Sequence, residues 1–114
     1  MAVNFDDVNE NFRRIALTGR LDIPGTEEIS TKFTALAVSE KRRVVVDLTG
    51  VSFLASIGIR TLISAAKALQ QRGGRMVLFV GGNNAVAKTL QATGIDALLP
   101  TFTETEEADK AAVA

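Results

Sequence analysis

Apolar and polar positions along the chain switch repeatedly between a two-residue and a 3.6-residue period, and the switches outline alternating strands and helices. Between Phe12 and Thr18, Ile15 and Leu17 fall on one side with Arg14, Ala16 and Thr18 between them, which predicts a half-buried strand. Ala2 to Asp7 predicts a partner strand, folded back across Val8-Asn9-Glu10-Asn11 as a hairpin. Val44-Val45-Val46 running into Asp47-Leu48, and Met76 to Val80, are short unbroken apolar runs. Strands covered on both faces read this way, so these two predict the central strands of a parallel sheet.

Helical spacing fills the intervals. Ile29, Phe33, Leu36 and Ala37 recur after the Pro24-Gly25 breaker, ahead of a charged exit at Glu40-Lys41-Arg42-Arg43. Ile59, Leu62, Ile63, Ala66 and Leu69 form a stripe ended by Gly73-Gly74, and Val86 and Leu90 predict a shorter helix ending near Gly94. Leu98-Leu99 predicts an edge strand before Pro100, and the acidic tail from Glu104 to Ala114 reads either as a surface helix or as a fraying end. Helices inserted between parallel strands must lay their apolar stripes back on the sheet, which gives an α/β layer fold.

At 114 residues, with 46% apolar and 23% charged residues, the chain fits one globular domain, residues 1–114. Thirteen Lys and Arg balance thirteen Asp and Glu, so bulk charge gives no attraction for nucleic acid or acidic lipid. His, Cys, Trp and Tyr are absent, which removes imidazole acid–base chemistry, thiol nucleophiles, disulfides and the usual zinc, haem and iron–sulfur ligands. The start, Met1-Ala2-Val3-Asn4-Phe5-Asp6-Asp7, has no basic region followed by an apolar core, and no apolar run approaches the roughly 20 residues of a spanning helix. A cytoplasmic protein with no membrane insertion is the expectation.

The segment from Val45 to Arg60 carries the most chemical information. A buried strand ends, a loop crosses the rim of the sheet, and Ser56 stands just before the helical stripe that begins at Ile59. Taken alone, Ser56 reads as a helix N-cap whose hydroxyl accepts from an orphan N–H. Phe53 and Leu54 read as core, and Ile57 as an exposed apolar residue that a partner covers.

Gly-Arg-Leu-Asp at 19–22, Val-Val-Val-Asp-Leu-Thr-Gly-Val-Ser-Phe-Leu-Ala-Ser-Ile-Gly-Ile at 44–59 and Gly-Gly-Arg-Met-Val-Leu at 73–78 together resemble the STAS domain of bacterial anti-sigma-factor antagonists. The resemblance covers nearly the whole chain and implies a mixed sheet of four to five strands with about four helices. It further implies a non-enzymatic partner-switching regulator, phosphorylated on a serine by an anti-sigma-type kinase and restored by a metal-dependent serine phosphatase. By position the acceptor is Ser56, and Asp22 matches an acidic position near the acceptor and the kinase contact. Ala55 stands where the family usually has aspartate, and Ile57 replaces its second hydroxyl residue. Asp22 reads equally as a turn or cap residue ahead of Pro24. Arg60, four residues beyond Ser56, either screens the phosphate or is simply a solvated arginine. The partner-binding set is therefore Asp22, Ser56, Ile57 and Arg60. A rival from another class is a constitutive STAS interaction subunit of a transporter or signalling complex, in which Ser56 is only a cap.

Other chemistries fit less well. Gly81-Gly82-Asn83-Asn84 lacks the glycine spacing and the Gly-Lys-Ser/Thr ending of nucleotide loops, and reads as a strand-to-helix turn capped by Asn84. Asp47 ends a parallel strand, as in phospho-aspartate receivers, but no acidic pair follows the first main strand and Lys88 lies within a helix, so Asp47 reads as a loop-ordering residue. Ser56 as a hydrolase nucleophile lacks a histidine base, Lys67 is far along the helix, and Gly-x-Ser-x-Gly is absent. No cofactor and no metal are expected, because the kinase's ATP and magnesium belong to the partner.

Overall fold

The computed structural model describes residues 2–114, so Met1, where the N-terminal reading begins, lies outside the described residues. The elements, in chain order, are β1 (Ala2–Asp7), β2 (Phe12–Leu21), α1 (Ile23–Ala37), β3 (Arg43–Leu54), α2 (Ser56–Gln71), β4 (Arg75–Phe79), α3 (Asn84–Thr93), a 3₁₀ turn (Ile95–Ala97), β5 (Thr101–Phe102) and α4 (Thr105–Val113). They form one five-stranded sheet in the order β1-β2-β3-β4-β5. The β1–β2 hairpin is antiparallel and every later pairing is parallel, as expected when helices separate the strands.

Alternation along the strands divides the core by face. Val44, Val46 and Leu48 of β3 point to the side covered by α1, α2 and α3, where they meet Phe33, Leu62 and Leu90. Val45 and Val77 point the other way, against Ala108 and Ala112 of α4. The acidic tail is thus a helix, held by two buried alanines and by the Arg14–Asp109 ion pair at 3.1 Å. β3 lies at the centre of the sheet as predicted, whereas β4 is backed on its outer side only by the two residues of β5.

Three sequence expectations shift. The edge strand is Thr101–Phe102, not Leu98-Leu99: Leu98 closes the 3₁₀ turn with helical backbone, φ −96° and ψ −31°, and is 71% exposed, while Leu99 is buried. Pro100 lacks a donor but its carbonyl accepts from the Leu78 N–H at 2.8 Å, so pairing starts at the proline. The cap of α3 is Asn83 and not Asn84. Most consequential, the rim loop expected after Leu48 is strand: β3 runs on to Leu54.

Pairing with β2 explains that extension. Ala16 and Thr18 oppose Asp47 and Gly50, and Gly19 and Arg20 oppose Val51 and Phe53, so β3 carries one extra residue at each of two bulges. Asp47 Oδ1 accepts from the N–H and hydroxyl of Thr49, at 2.8 and 2.7 Å, which orders the first bulge as an Asx-type turn. Opposite the second, Gly19 adopts φ 99°, a left-handed conformation that favours glycine. Asn83 braces the same stretch by donating from Nδ2 to the carbonyls of Leu48 at 3.0 Å and Val51 at 2.7 Å.

Candidate functional site

The bulged end of β3 delivers its last residue, Leu54, beside Leu21, the last residue of β2. The chain then turns directly into α2. The Ala55 N–H donates to the Leu21 carbonyl at 2.9 Å, so Asp22 and Ser56 each stand one residue beyond a bonded pair at the same rim of the sheet. Gly58 allows this close seating. A Cβ there would lie 2.9 Å from Leu54 Cδ1, 3.1 Å from Leu21 Cβ and 3.2 Å from the Leu21 carbonyl oxygen.

Ser56 is the first helical residue and not the cap. The cap position belongs to Ala55, whose side chain has no acceptor, and the first amide bonded within the helix is that of Ile59, to the Ala55 carbonyl at 3.1 Å. The N–H groups of Ser56, Ile57 and Gly58 therefore form an unfilled positive end of α2. The Ser56 side chain is exposed beside them. The serine-as-cap expectation fails because a cap must keep extended backbone, and here Ala55, not Ser56, has it, at φ −87° and ψ 169°.

Asp22 takes the opposite role. Its Oδ1 accepts from the Gly25 N–H at 2.9 Å and caps α1, with Pro24 in the first turn. Its Oδ2 faces Arg20 Nε at 3.3 Å. The Gly25 N–H, with help from Arg20, holds the Asp22 carboxyl below its ordinary range. Arg20 in turn lies over the ring of Phe53 with 4.6 Å from its guanidinium carbon to the ring centroid. Phe53, expected in the core, is 42% exposed, and Leu54 is buried as expected. Consecutive strand residues face opposite sides; Leu54 joins the cluster under α1, α2 and α3, whereas Phe53 lies on the other face and belongs to neither buried cluster.

Ile57, expected to be exposed, is half-buried, and Arg60 is exposed one turn beyond Ser56. Among the described residues no carboxylate pairs with Arg60. The rim thus brings Asp22, Ser56, Ile57 and Arg60 together and adds two side chains that sequence reasoning missed, Arg20 and Phe53. Ile23, at the start of α1, is also exposed. No group of three or more candidate metal ligands occurs among the described residues. No helix among them is long and apolar enough to cross a membrane.

Comparison with known proteins agrees with this architecture. SpoIIAA, an anti-sigma factor antagonist solved in its unphosphorylated form, aligns with a TM-score of 0.76 at 23% identity, over 99% of this chain and 98% of that one. Its phosphorylated form, from Bacillus, aligns with a TM-score of 0.68 at 22% identity, over 96% and 99% of the two chains. An anti-sigma factor antagonist from Mycobacterium paratuberculosis aligns with a TM-score of 0.87 at 19% identity, over 99% and 94%. An anti-sigma-factor antagonist domain protein from Planctomyces limnophilus gives 0.78 at 26% identity, over 96% and 95%. These likenesses establish the α/β fold. The STAS domain family model matches residues 6–108, and the chain belongs to the STAS domain family.

Proposed function

We propose that this chain is a partner-switching regulator of the anti-sigma-factor-antagonist type. Unmodified, it binds an anti-sigma-type serine kinase through the rim that carries Asp22, Ser56, Ile57 and Arg60. Transfer of the terminal phosphoryl group of the kinase's ATP to Ser56 Oγ ends that contact, and a metal-dependent serine phosphatase restores it. ATP and magnesium belong to the partner, and the regulator contributes a hydroxyl and a surface.

The observation that carries this reading is the exposed Ser56 hydroxyl on the first residue of a helix with no side-chain cap. A phosphate there carries about −1.5 to −2 charges and meets free N–H groups and the positive end of the helix dipole, so the fold accommodates it. A partner that had covered a neutral hydroxyl instead faces a charge it must desolvate. That SpoIIAA has the same fold in both phosphorylation states supports a switch that leaves the domain intact.

The departure at Ala55 favours a second reading, a constitutive interaction subunit in which Ser56 is never modified. Binding of wild type, Ser56→Ala and Ser56→Asp to an anti-sigma-type serine kinase separates the two. The switch requires that Ser56→Ala retain affinity and Ser56→Asp lose at least about tenfold, roughly 1.4 kcal/mol. Equal affinity of all three forms would identify the constitutive subunit. Mass spectrometry after incubation with the kinase and ATP locates the phosphate, and modification confined to another hydroxyl overturns the assignment of Ser56.

A further inference from the structure

β1 forms one edge of the sheet with β2 as its neighbour, and at the other edge β5 offers just two residues. The hairpin fixes which backbone groups of β1 face outward. The Val8 N–H donates to the Phe12 carbonyl at 2.9 Å, while the Arg43 N–H of β3 donates to the Asn11 carbonyl at 2.8 Å. Even-numbered residues of β2 therefore turn their backbone groups to β1 and odd-numbered ones to β3, and the unbroken register of the hairpin carries the same parity into β1. Ala2, Asn4 and Asp6 bond to β2, whereas the N–H and C=O groups of Val3, Phe5 and Asp7 point away from the sheet. Among the described residues no other segment bonds to them. Such a row is a template for another strand.

The side chains along this edge alternate in the same way. Val3 is buried under the helices, which places Phe5 and Asp7 on that face too. Phe5 is 50% exposed, with the Arg13 guanidinium carbon 4.8 Å from its ring centroid. Arg13 also donates to both carboxylate oxygens of Asp7, at 2.6 and 3.2 Å. Asp6 has no ion-pair partner among the described residues and shares the opposite face with Asn4.

The three outward residues are symmetric about Phe5, so the edge complements itself. A second copy laid antiparallel with Phe5 opposite Phe5 sets Val3 opposite Asp7, and the three facing pairs complete six backbone hydrogen bonds. The two Phe5 rings adjoin across the two-fold, and each Asp6 faces Asn4 of the other copy, whose amide donates to the carboxylate. A slip of one residue would send every side chain to the wrong face. A slip of two residues either sets Asp6 against Asp6 or leaves Asp7 beyond Ala2 of the other copy.

We propose that the chain forms a two-fold dimer through β1, joining two five-stranded sheets into one of ten strands. The axis stands perpendicular to the sheet, so the two Ser56 rims lie at opposite ends and both stay open. One strand edge per copy is smaller than the roughly 1,200–2,000 Å² of a stable interface, which makes the association concentration-dependent.

Sedimentation equilibrium of the full chain between about 10 μM and about 1 mM should show a monomer–dimer equilibrium with its midpoint inside that range. Phe5→Pro removes an outward N–H that the monomer does not use; it should weaken the dimer at least about tenfold and leave the circular dichroism spectrum unchanged. Asn4→Asp, which sets a carboxylate against each Asp6, should weaken it about fivefold, and Asn4→Lys should tighten it by about the same factor. The chain has no cysteine, and facing residues of the kind Asn4 and Asp6 form lie close enough for a disulfide. A mixture of Asn4→Cys and Asp6→Cys chains should therefore cross-link between unlike chains in preference to like ones, a result that stands even if Phe5→Pro does not fold. A chain monomeric throughout, a dimer that folded Phe5→Pro leaves intact, or cross-links mainly between like chains overturns the proposal.

Discussion

The helices α1 and α2 leave the same rim of the sheet from neighbouring strands, yet their first turns are built in opposite ways. Asp22 fills the start of α1 with a carboxylate, whereas Ala55 leaves the start of α2 bare. α3 follows the first pattern through Asn83, which accepts from the Val86 N–H at 3.3 Å. α4, on the other face of the sheet, also begins without a side-chain cap, but among α1, α2 and α3 two capped starts surround an uncapped one, which holds the exposed serine. An alanine at this position forgoes about 1 kcal/mol of capping. The same vacancy keeps three donors free for a charge on Ser56.

The largest test concerns how α2 is seated at all. Gly58→Val should destabilise the domain by about 3 kcal/mol, measured by urea unfolding, because its side chain enters the space against Leu21 and Leu54. An unchanged midpoint would mean that the seating of α2 on β2 is loose.

Asn83→Ala should cost about 2–3 kcal/mol in the same assay, through loss of the α3 cap and of bonds to two β3 carbonyls. A much smaller loss would show that the bulges of β3 hold themselves.

Ala55→Asp converts α2 to the pattern of α1 and should stabilise the protein by about 1 kcal/mol. A neutral or destabilising result would mean that the three amides are already satisfied, and the contrast between the two helix starts would fall.

The smallest effect is a pH dependence. Folding lowers the Asp22 carboxyl below its ordinary value of 3.8, so its contribution is fully present above pH 3.8 and disappears as pH falls through the lower folded value. Asp22→Asn should flatten the acid limb of thermal stability in that window and leave the slope above pH 5 unchanged; an unaltered limb would show that Asp22 carries no folding-linked proton there. Asp7, lowered mainly by its hydrogen bond from Arg13, contributes in the same direction and remains in the variant.

The sequence patterns that proved legible share one property: they depend on a single element meeting a single face. The stripe from Ile59 to Leu69 and the apolar runs of β3 and β4 are of this kind, and so is the end of α2, where Gly73 takes φ 79°. Errors arose where two elements decide together. Thr49 and Gly50 look like a turn in isolation, but pairing with β2 turns them into a bulge inside a longer strand. In that strand Phe53 lies on the face opposite Leu54 and outside both buried clusters, where Arg20 meets it. Asp22 and Ser56 could be named from the resemblance and Arg60 from its helical spacing to Ser56, and the meeting of the Asp22 and Ser56 segments at one rim follows from the Leu21–Ala55 contact, which no local pattern encodes.

The Ala55 amide, bonded to the Leu21 carbonyl, begins a run of five N–H groups with a distinctive order: bound, three open, bound again at Ile59. In hydrogen–deuterium exchange this becomes a barcode. Residues 55 and 59 should retain their protons while 56 to 58 exchange rapidly, and a phosphate on Ser56 should slow the three in the middle without altering the two that frame them. Whether Ser56 carries a phosphate could then be followed amide by amide, with no partner protein in the tube.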